Sequence, residues 1–274
     1  LAPFPFVSTL LDGTYESGKD MTAGGVKYTI GPALIGTGIA DLVNSLSAIK
    51  KHVFEDKTIT MEQLIEAIEH DFEGYEDMRQ MLENTTPMYG NDIEEIDLLA
   101  GEMTDFIAAE VSSHNSWRGP KYVSGLYPVS ANVPHGFVVG ALPYGRKAGL
   151  PLADGCSPNV GTDHNGPTAV LKSVSRINHD AHKAGTLLNM RLDPASVKGD
   201  AGIQRIVSIL RSLVDLDVYH IQFNVISNET LLSAQKEPDK YKSLIVRVAG
   251  YSAFFTELCK DVQDDIIGRT QHMA

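Results

Sequence analysis

The most informative stretch of the chain lies near its C-terminus, where residues 244–255 read Leu-Ile-Val-Arg-Val-Ala-Gly-Tyr-Ser-Ala-Phe-Phe. The branched residues before Gly250 favour a strand, whereas a glycine in or beside a strand costs conformational entropy. A tight turn or a close backbone approach is the ordinary reason for such a glycine. There is also a chemical reason. Glycine Cα carries two hydrogens and no side chain, so loss of one hydrogen leaves a planar radical delocalised between the amide nitrogen and the carbonyl group.

Residues 247–254 resemble the radical motif of the glycyl radical enzymes, the superfamily of pyruvate formate-lyase and its relatives. The resemblance continues through Gln263, Ile266, Ile267, Arg269 and Thr270. It implies that Gly250 is the catalytic residue that stores the radical. It also implies that a separate radical S-adenosylmethionine activating enzyme installs this glycyl radical after translation, with no cofactor bound to the chain. The Ala-Gly-Tyr-Ser-Ala form is similar to the non-formate branch of dehydratases, choline and isethionate lyases, arylacetate decarboxylases and arylsuccinate synthases.

Shorter segments upstream resemble the same family in the same order. They are residues 127–130, 132–134, 140–143, 145–147, 151–158, 166–170 and 220–225. The resemblance implies a ten-stranded α/β barrel made of two five-stranded halves, with helices outside and the glycine loop inside. Residues 1–274 would be the C-terminal portion that supplies the second half. Residues 240–274 would form the radical loop and the final helix.

Apolar periodicity independently indicates an α/β fold, because helical patterns alternate with buried strands. Thr60 and Gln63 form a capping box that predicts a helix directly after it. We also expect helices at residues 41–54, at 75–83, from about 91 onward, at 202–213, at 229–235 and at about 253–269. We expect buried strands at residues 186–192 and 218–226. Residues 113–168, rich in Gly and Pro, are predicted to form loops and short strands.

Composition limits the classes of partner and the compartment. The net charge of -12 argues against a nucleic-acid surface, which needs clustered Lys and Arg. No apolar run approaches the length of a transmembrane helix. The 2 cysteines make a disulfide framework unexpected and fit a reducing compartment. We therefore expect a cytoplasmic protein without nucleic-acid or membrane partners, and the resemblance implies a homo-oligomer of the complete enzyme.

The resemblance also implies a second catalytic element, a Gly-Cys-Val-Glu motif whose cysteine becomes a thiyl radical, and this motif does not occur in the sequence. Cys156 lies in Asp-Gly-Cys-Ser-Pro, where we expect a structural role. Cys259 lies in Glu-Leu-Cys-Lys, where we expect a buried thiol on the final helix. The chain also starts without Met. We therefore expect it to work with an upstream half or subunit that carries the thiyl cysteine.

Other polar residues are candidates for substrate binding or for metal binding. Glu16, Arg118, His135 and Gln222 are the substrate-side candidates, each with a surface or structural role as the alternative. His179 and His182 have the spacing of a metal-ligand pair. Because no cysteine or carboxylate cluster completes a site around them, we expect solvated loop residues and no metal.

Three hypotheses follow for function. The favoured one is the radical-bearing portion of an oxygen-sensitive lyase or dehydratase of anaerobic metabolism, which cleaves a C–C, C–O, C–N or C–S bond of a small organic substrate. The alternative is a non-catalytic spare-part subunit that restores an oxygen-damaged glycyl radical enzyme. The third is a structural or binding module that holds no radical.

Overall fold

The computed structural model describes residues 3–28, 31–117 and 119–273. In these residues the helices are, in chain order, α1 (Pro5–Ser8), α2 (Thr14–Ser17), α3 (Ile39–Ala48), α4 (Met61–Glu69), α5 (Glu76–Thr85), α6 (Glu94–Ser113), α7 (Asn132–Phe137), α8 (Pro167–Val174), α9 (Gly199–Asp215), α10 (Asn228–Lys236) and α11 (Lys260–Gly268). The strands are β1 (Ala33–Ile35), β2 (Val123–Leu126), β3 (Gly185–Thr186), β4 (Asn189–Leu192), β5 (Gln222–Val225), β6 (Ile245–Arg247), β7 (Ser252–Phe254) and β8 (Gln271–His272).

The strands form two parallel sheets and one antiparallel hairpin. One 3-stranded sheet has the order β1-β2-β3, the other has the order β5-β4-β8, and β6 pairs with β7. In the second sheet the register places Asn189 beside Gln222. Parallel strands with helical connections confirm the α/β class. The second half of a ten-stranded barrel stays a prediction.

The main hydrophobic core lies between the parallel strands and the helices that connect them. Its buried members include Val43 of α3, Ile96 of α6, Leu126 of β2, Leu171 of α8 and Leu192 of β4. A second cluster packs α10 and α11 against the β6–β7 hairpin, with Leu231, Val246, Phe255 and Ile266 buried at its centre. The hairpin is therefore anchored by its own small core, which includes Val248 of its loop.

Local signals in the sequence confirm several helix positions. The Thr60 hydroxyl accepts a bond from the Gln63 amide at 3.2 Å, and the Gln63 side chain accepts one from the Thr60 amide at 2.9 Å, which is the expected capping box at α4. The helix expected at residues 41–54 begins at Ile39 and continues beyond α3 as a π-helical segment, Ile49–Glu55. None of the helices in the described part of the chain has the length and apolarity needed to cross a bilayer.

The structure corrects four of the expected elements. Residues 113–168, expected to form loops and short strands, contain helix α7 and the start of α8. The final helix starts at Lys260 rather than near 253, because Ser252–Phe254 pairs with Ile245–Arg247 and a short 3-10 turn follows. The strand expected at residues 186–192 is interrupted between Thr186 and Asn189, and its two parts belong to different sheets. The strand expected at 218–226 is shorter, at Gln222–Val225.

Candidate functional site

Gly250 lies in the loop of the β6–β7 hairpin. Arg247 and Ser252 are the last paired residues before this loop, and the Val248 amide donates to the Tyr251 carbonyl at 2.9 Å. Gly250 is exposed and has a φ of 83°, in the left-handed region that favours glycine. The strand-forming residues before it therefore end in a turn, as the sequence indicates.

The space around Gly250 does not itself require a glycine. A Cβ added at this position would meet only the Leu187 Cδ1 atom, at 3.7 Å, which is an ordinary van der Waals contact. Replacing Gly250 by another residue would therefore cost about 1–2 kcal/mol of stability, mainly because of the positive φ.

Gln222 is the side chain that holds the Gly250 backbone. Its Oε1 accepts from the Gly250 amide at 3.2 Å and from Arg247 Nη2 at 3.1 Å. Its Nε2 donates to the Val248 carbonyl at 3.4 Å and to Asn189 Oδ1. The side-chain amide of Gln222 thus both accepts a hydrogen bond from the loop backbone and donates one to it, as the backbone of a neighbouring strand would.

Arg269, which follows α11, binds the same loop as Gln222. Its Nη1 donates to the Val248 carbonyl at 3.0 Å, and its Nη2 lies 3.0 Å from an Asp154 oxygen and 2.9 Å from an Asp265 oxygen. Burial by itself lowers the pKa of Arg269, but the carboxylates of Asp154 and Asp265 outweigh it and raise that pKa. Arg269 therefore stays charged and fixed.

These contacts form a closed ring of hydrogen bonds and ion pairs that starts and ends at the Val248 carbonyl. The Asn189 side-chain amide donates to Asp154, which pairs with Arg269, while Gln222 donates to Asn189. Gln222 and Arg269 both donate to the Val248 carbonyl, so the ring begins and ends there. We call Gln222, Asn189, Asp154 and Arg269 the polar ring.

The two cysteines have different surroundings. Cys156 is buried, its amide donates to the Leu187 carbonyl at 2.8 Å, and burial raises the pKa of its thiol to about 12. Such a thiol is inert as a nucleophile, in accord with the structural role expected for it. Cys259 was expected to be buried on the final helix, and this is wrong. It is exposed, because it directly precedes α11 instead of lying within it.

The structure places the substrate-side candidates apart from one another. Gln222 contacts Gly250, as described above. Glu16 is exposed on α2, and His135 is exposed on α7, where its Nδ1 lies 3.3 Å from Thr37 Oγ1. Among the hydrogen bonds of the described residues, none joins Glu16 or His135 to Gln222 or Gly250. Arg118 lies outside the described residues.

His179 and His182 are buried, so the expectation of solvated loop residues is wrong. His179 Nδ1 lies 2.7 Å from the Thr186 hydroxyl, and His182 Nδ1 lies 2.9 Å from the Ser124 hydroxyl. Burial lowers the pKa of both, that of His182 to about 4, so both rings are neutral near pH 7. Their hydroxyl partners lie on β2 and β3, so both rings fix the chain between α8 and β3 to that sheet.

Two family descriptions match most of the chain. Residues 1–136 match the family described as pyruvate formate lyase-like. Residues 152–256 match the family described as glycine radical, and Gly250 lies inside that match. Sequence reasoning identified Gly250 and Arg269, but it assigned no role to Asp154 or Asn189, which complete the polar ring.

Known proteins with similar sequences and structures are dehydratases and lyases. The chain is 47% identical over 275 residues to a probable dehydratase, YbiW, of Escherichia coli (strain K12), covering 97% of this chain and 34% of that protein. It is 47% identical over 241 residues to the isethionate sulfite-lyase of Bilophila wadsworthia (strain 3_1_6), covering 86% of this chain and 28% of that protein.

Among solved structures, the glycerol-bound B12-independent glycerol dehydratase of Clostridium butyricum superposes with a TM-score of 0.94 at 45% identity. The superposition covers 100% of this chain and 34% of that protein. The chain thus spans about a third of the length of the relatives that it matches.

Proposed function

This chain belongs to the glycyl radical enzyme family, and from that premise we propose that it is the radical-bearing portion of a lyase or dehydratase. The observation that carries the proposal is Gly250 itself. It lies in a loop with a positive φ, no packing contact demands the lack of a side chain, and buried polar groups hold its backbone. Gly250 also lies inside residues 152–256, which match the glycine radical family, and this match points to a chemical use of the missing side chain.

The radical is formed by loss of one hydrogen atom from the Gly250 Cα. The Cα–H bond breaks homolytically, the hydrogen atom passes to the activating enzyme, and one electron stays on Cα. We propose a radical S-adenosylmethionine enzyme as this partner. The match of residues 152–256 to the glycine radical family supports the proposal.

Turnover requires a second hydrogen carrier next to the substrate. We propose a cysteine outside this chain, whose S–H gives a hydrogen atom to the Gly250 radical. The resulting thiyl radical then takes one from the substrate, and both transfers reverse after the bond is cleaved. The chain's own thiols support this assignment, since Cys156 is enclosed in the core and Cys259 is an exposed residue before α11.

The substrate class is proposed from the chemistry of the relatives. A glycerol dehydratase removes water from glycerol, and an isethionate sulfite-lyase releases sulfite from isethionate. We propose a small polar substrate whose C–O or C–S bond is cleaved, within the wider set of C–C, C–O, C–N and C–S cleavages. Glu16, Arg118 and His135 remain proposed substrate-side groups. The complete enzyme is proposed to be a cytoplasmic, oxygen-sensitive homo-oligomer.

Anaerobic activation of the complete enzyme tests this function. The activated protein is incubated separately with glycerol, 1,2-propanediol, trans-4-hydroxy-L-proline and isethionate, and products are identified by mass spectrometry. We expect one substrate to be converted only after activation, and no conversion by Gly250→Ala. Conversion by unactivated protein, or by activated Gly250→Ala, contradicts the proposal.

A further inference from the structure

We propose that Gln222 is a positioning residue for the radical, which holds the Gly250 amide and the Val248 carbonyl with a single side-chain amide. The radical part of this inference rests on the proposed function. The part that concerns the loop does not, because it follows from the contacts alone. Gln222 is buried on β5, a strand of the parallel sheet and not of the hairpin, so it ties the loop to a rigid element.

The oxygen and the nitrogen of the Gln222 amide both form hydrogen bonds within this chain. The oxygen accepts from Gly250 and from Arg247, and the nitrogen donates to Val248 and to Asn189. Asn189 is the register partner of Gln222 in β4 and donates onward to Asp154. This chain of bonds sets which way the Gln222 amide faces, and therefore presents its oxygen to Gly250.

The orientation matters because the two sides of the glycyl radical are electronically different. The amide nitrogen donates electron density to the radical carbon, and the carbonyl group withdraws it. An acceptor on the N–H makes the nitrogen a better donor, so the Gln222 oxygen stabilises the radical form. The same bond keeps the Gly250 peptide in one orientation, as a planar delocalised radical requires.

Asn224, two residues beyond Gln222 on β5, performs a related task for a different part of the hairpin. Its Oδ1 accepts from the Arg247 amide at 2.8 Å, and its Nδ2 donates to the Arg247 carbonyl at 2.7 Å. Two residues of β5, two positions apart and therefore on the same face, thus hold the hairpin at successive points. Asn224 holds the end of β6, and Gln222 holds the loop itself.

Hydrogen exchange in the unactivated enzyme tests the positioning of the loop without any radical. Gln222→Met removes every bond of the amide. Gln222→Glu keeps acceptors for Gly250 and Arg247 but loses the donor to Val248 and Asn189. Gln204→Met, at an exposed site on α9, is the matched control. We expect amide exchange in residues 248–252 to rise about tenfold or more in Gln222→Met, less in Gln222→Glu, and not at all in Gln204→Met.

Electron paramagnetic resonance of the activated enzyme tests the electronic part. We expect Gln222→Met to change the hyperfine splitting of the radical and to shorten its anaerobic lifetime severalfold, with Gln222→Glu intermediate. If exchange rises throughout Gln222→Met, that variant is unfolded and Gln222→Glu decides. Loop exchange equal to that of Gln204→Met overturns the positioning role. Unchanged splitting and lifetime overturn the radical role. If the wild-type enzyme never yields a radical but the Gln222 variants still show the expected exchange, the proposed function is contradicted. The positioning of the loop by Gln222 is then still supported.

Discussion

Two glycine turns both lie close to Leu187 and differ in how much space they leave for a side chain. Gly155 has a φ of 47°, and a Cβ there would lie 2.4 Å from the Leu187 carbonyl oxygen and 2.9 Å from that of Leu126. Gly250 has a φ of 83°, and a Cβ there would lie 3.7 Å from the Leu187 side chain. Packing requires glycine at 155, whereas at 250 there is room for a methyl group.

The two turns are also held in different ways. The turn at Gly155 is buried and fixed by backbone bonds, from Cys156 to Leu187 and from Ser157 to Asp154, both 2.8 Å long. At the other turn Gly250 itself is exposed, Val248 and Ala249 beside it are buried, and side chains of the polar ring hold the loop. Side-chain bonds can be broken without unfolding a sheet. We therefore predict that this loop opens more readily than the turn at Gly155.

The largest expected difference between the turns is chemical. A carbon radical on the backbone reacts with dioxygen, and the resulting peroxyl species breaks the chain at that residue. We predict that air applied to the activated protein cuts it at Gly250 and releases a fragment that begins near Tyr251, with no cut at Gly155. Intact-mass spectrometry of activated and unactivated samples measures this. Equal cleavage in both samples, or a cut at another glycine, would show that Gly250 is a structural glycine only.

The next largest effect comes from breaking the polar ring. Arg269→Met leaves the carboxylates of Asp154 and Asp265 buried without a cation, which is expected to lower the free energy of unfolding by about 3–5 kcal/mol. Lys260→Met, which removes an exposed partner of Asp264 on α11, should lower it by less than about 0.5 kcal/mol. Urea denaturation of both variants measures the difference. Similar losses in the two would mean that the polar ring does not hold the loop.

Alanine substitution compares the two turns directly. Gly155→Ala forces Leu187 or Leu126 to move, and we expect a loss of about 2–4 kcal/mol in the free energy of unfolding. Gly250→Ala should cost about 1–2 kcal/mol, from its φ alone. Gly74→Ala is the matched control, since Gly74 is exposed, has a φ of 80° and has no heavy atom near its Cβ position. A loss in Gly250→Ala as large as that in Gly155→Ala would reverse the comparison.

The smallest expected effect is the pH dependence of stability that comes from Asp97, a residue outside both turns. Asp97 is buried at the start of α6, and burial raises its pKa to about 6, while a Ser173 hydrogen bond opposes that rise. Because the folded-state pKa lies above the ordinary value, the contribution of Asp97 to stability is complete below about pH 4 and is lost as the pH rises through 6. Asp97→Asn should therefore raise the free energy of unfolding by about 1–2 kcal/mol at pH 8.

The same substitution should have little effect at pH 4, and the losses in the alanine variants should not follow this pH profile. Urea denaturation at pH 4, 6 and 8 measures both. A gain for Asp97→Asn that is the same at all three values would show that the Asp97 carboxyl does not titrate in this range.

Features that depend on neighbours in the sequence were predictable. The capping box of Thr60 and Gln63 joins residues three apart, and the apolar faces of α3 and α6 repeat with the helical period. The start of α11 was not predictable in this way. Ser252–Phe254 has an aromatic composition compatible with either element, and pairing with Ile245–Arg247 makes it a strand.

The polar ring could be predicted only in part for the same physical reason. Gly250 and Arg269 belong to one local motif, so the sequence reveals them together. Asp154, Asn189 and Gln222 come from a loop and two strands far apart in the chain, and only the β4–β5 register and the packing of α11 bring them together. The burial of His179 and His182 likewise depends on hydroxyl partners on β2 and β3.

The central claim is that Gly250 carries the radical, and isotope-edited electron paramagnetic resonance tests it most directly. The complete enzyme is produced with natural glycine or with glycine deuterated at Cα, and is activated without oxygen. The radical carbon keeps one hydrogen, so we predict a doublet that collapses to a single unresolved line in the deuterated protein. Gly250→Ala should give no doublet, and Gly74→Ala should give the wild-type doublet. A doublet that survives deuteration, or that persists in Gly250→Ala, would contradict the account.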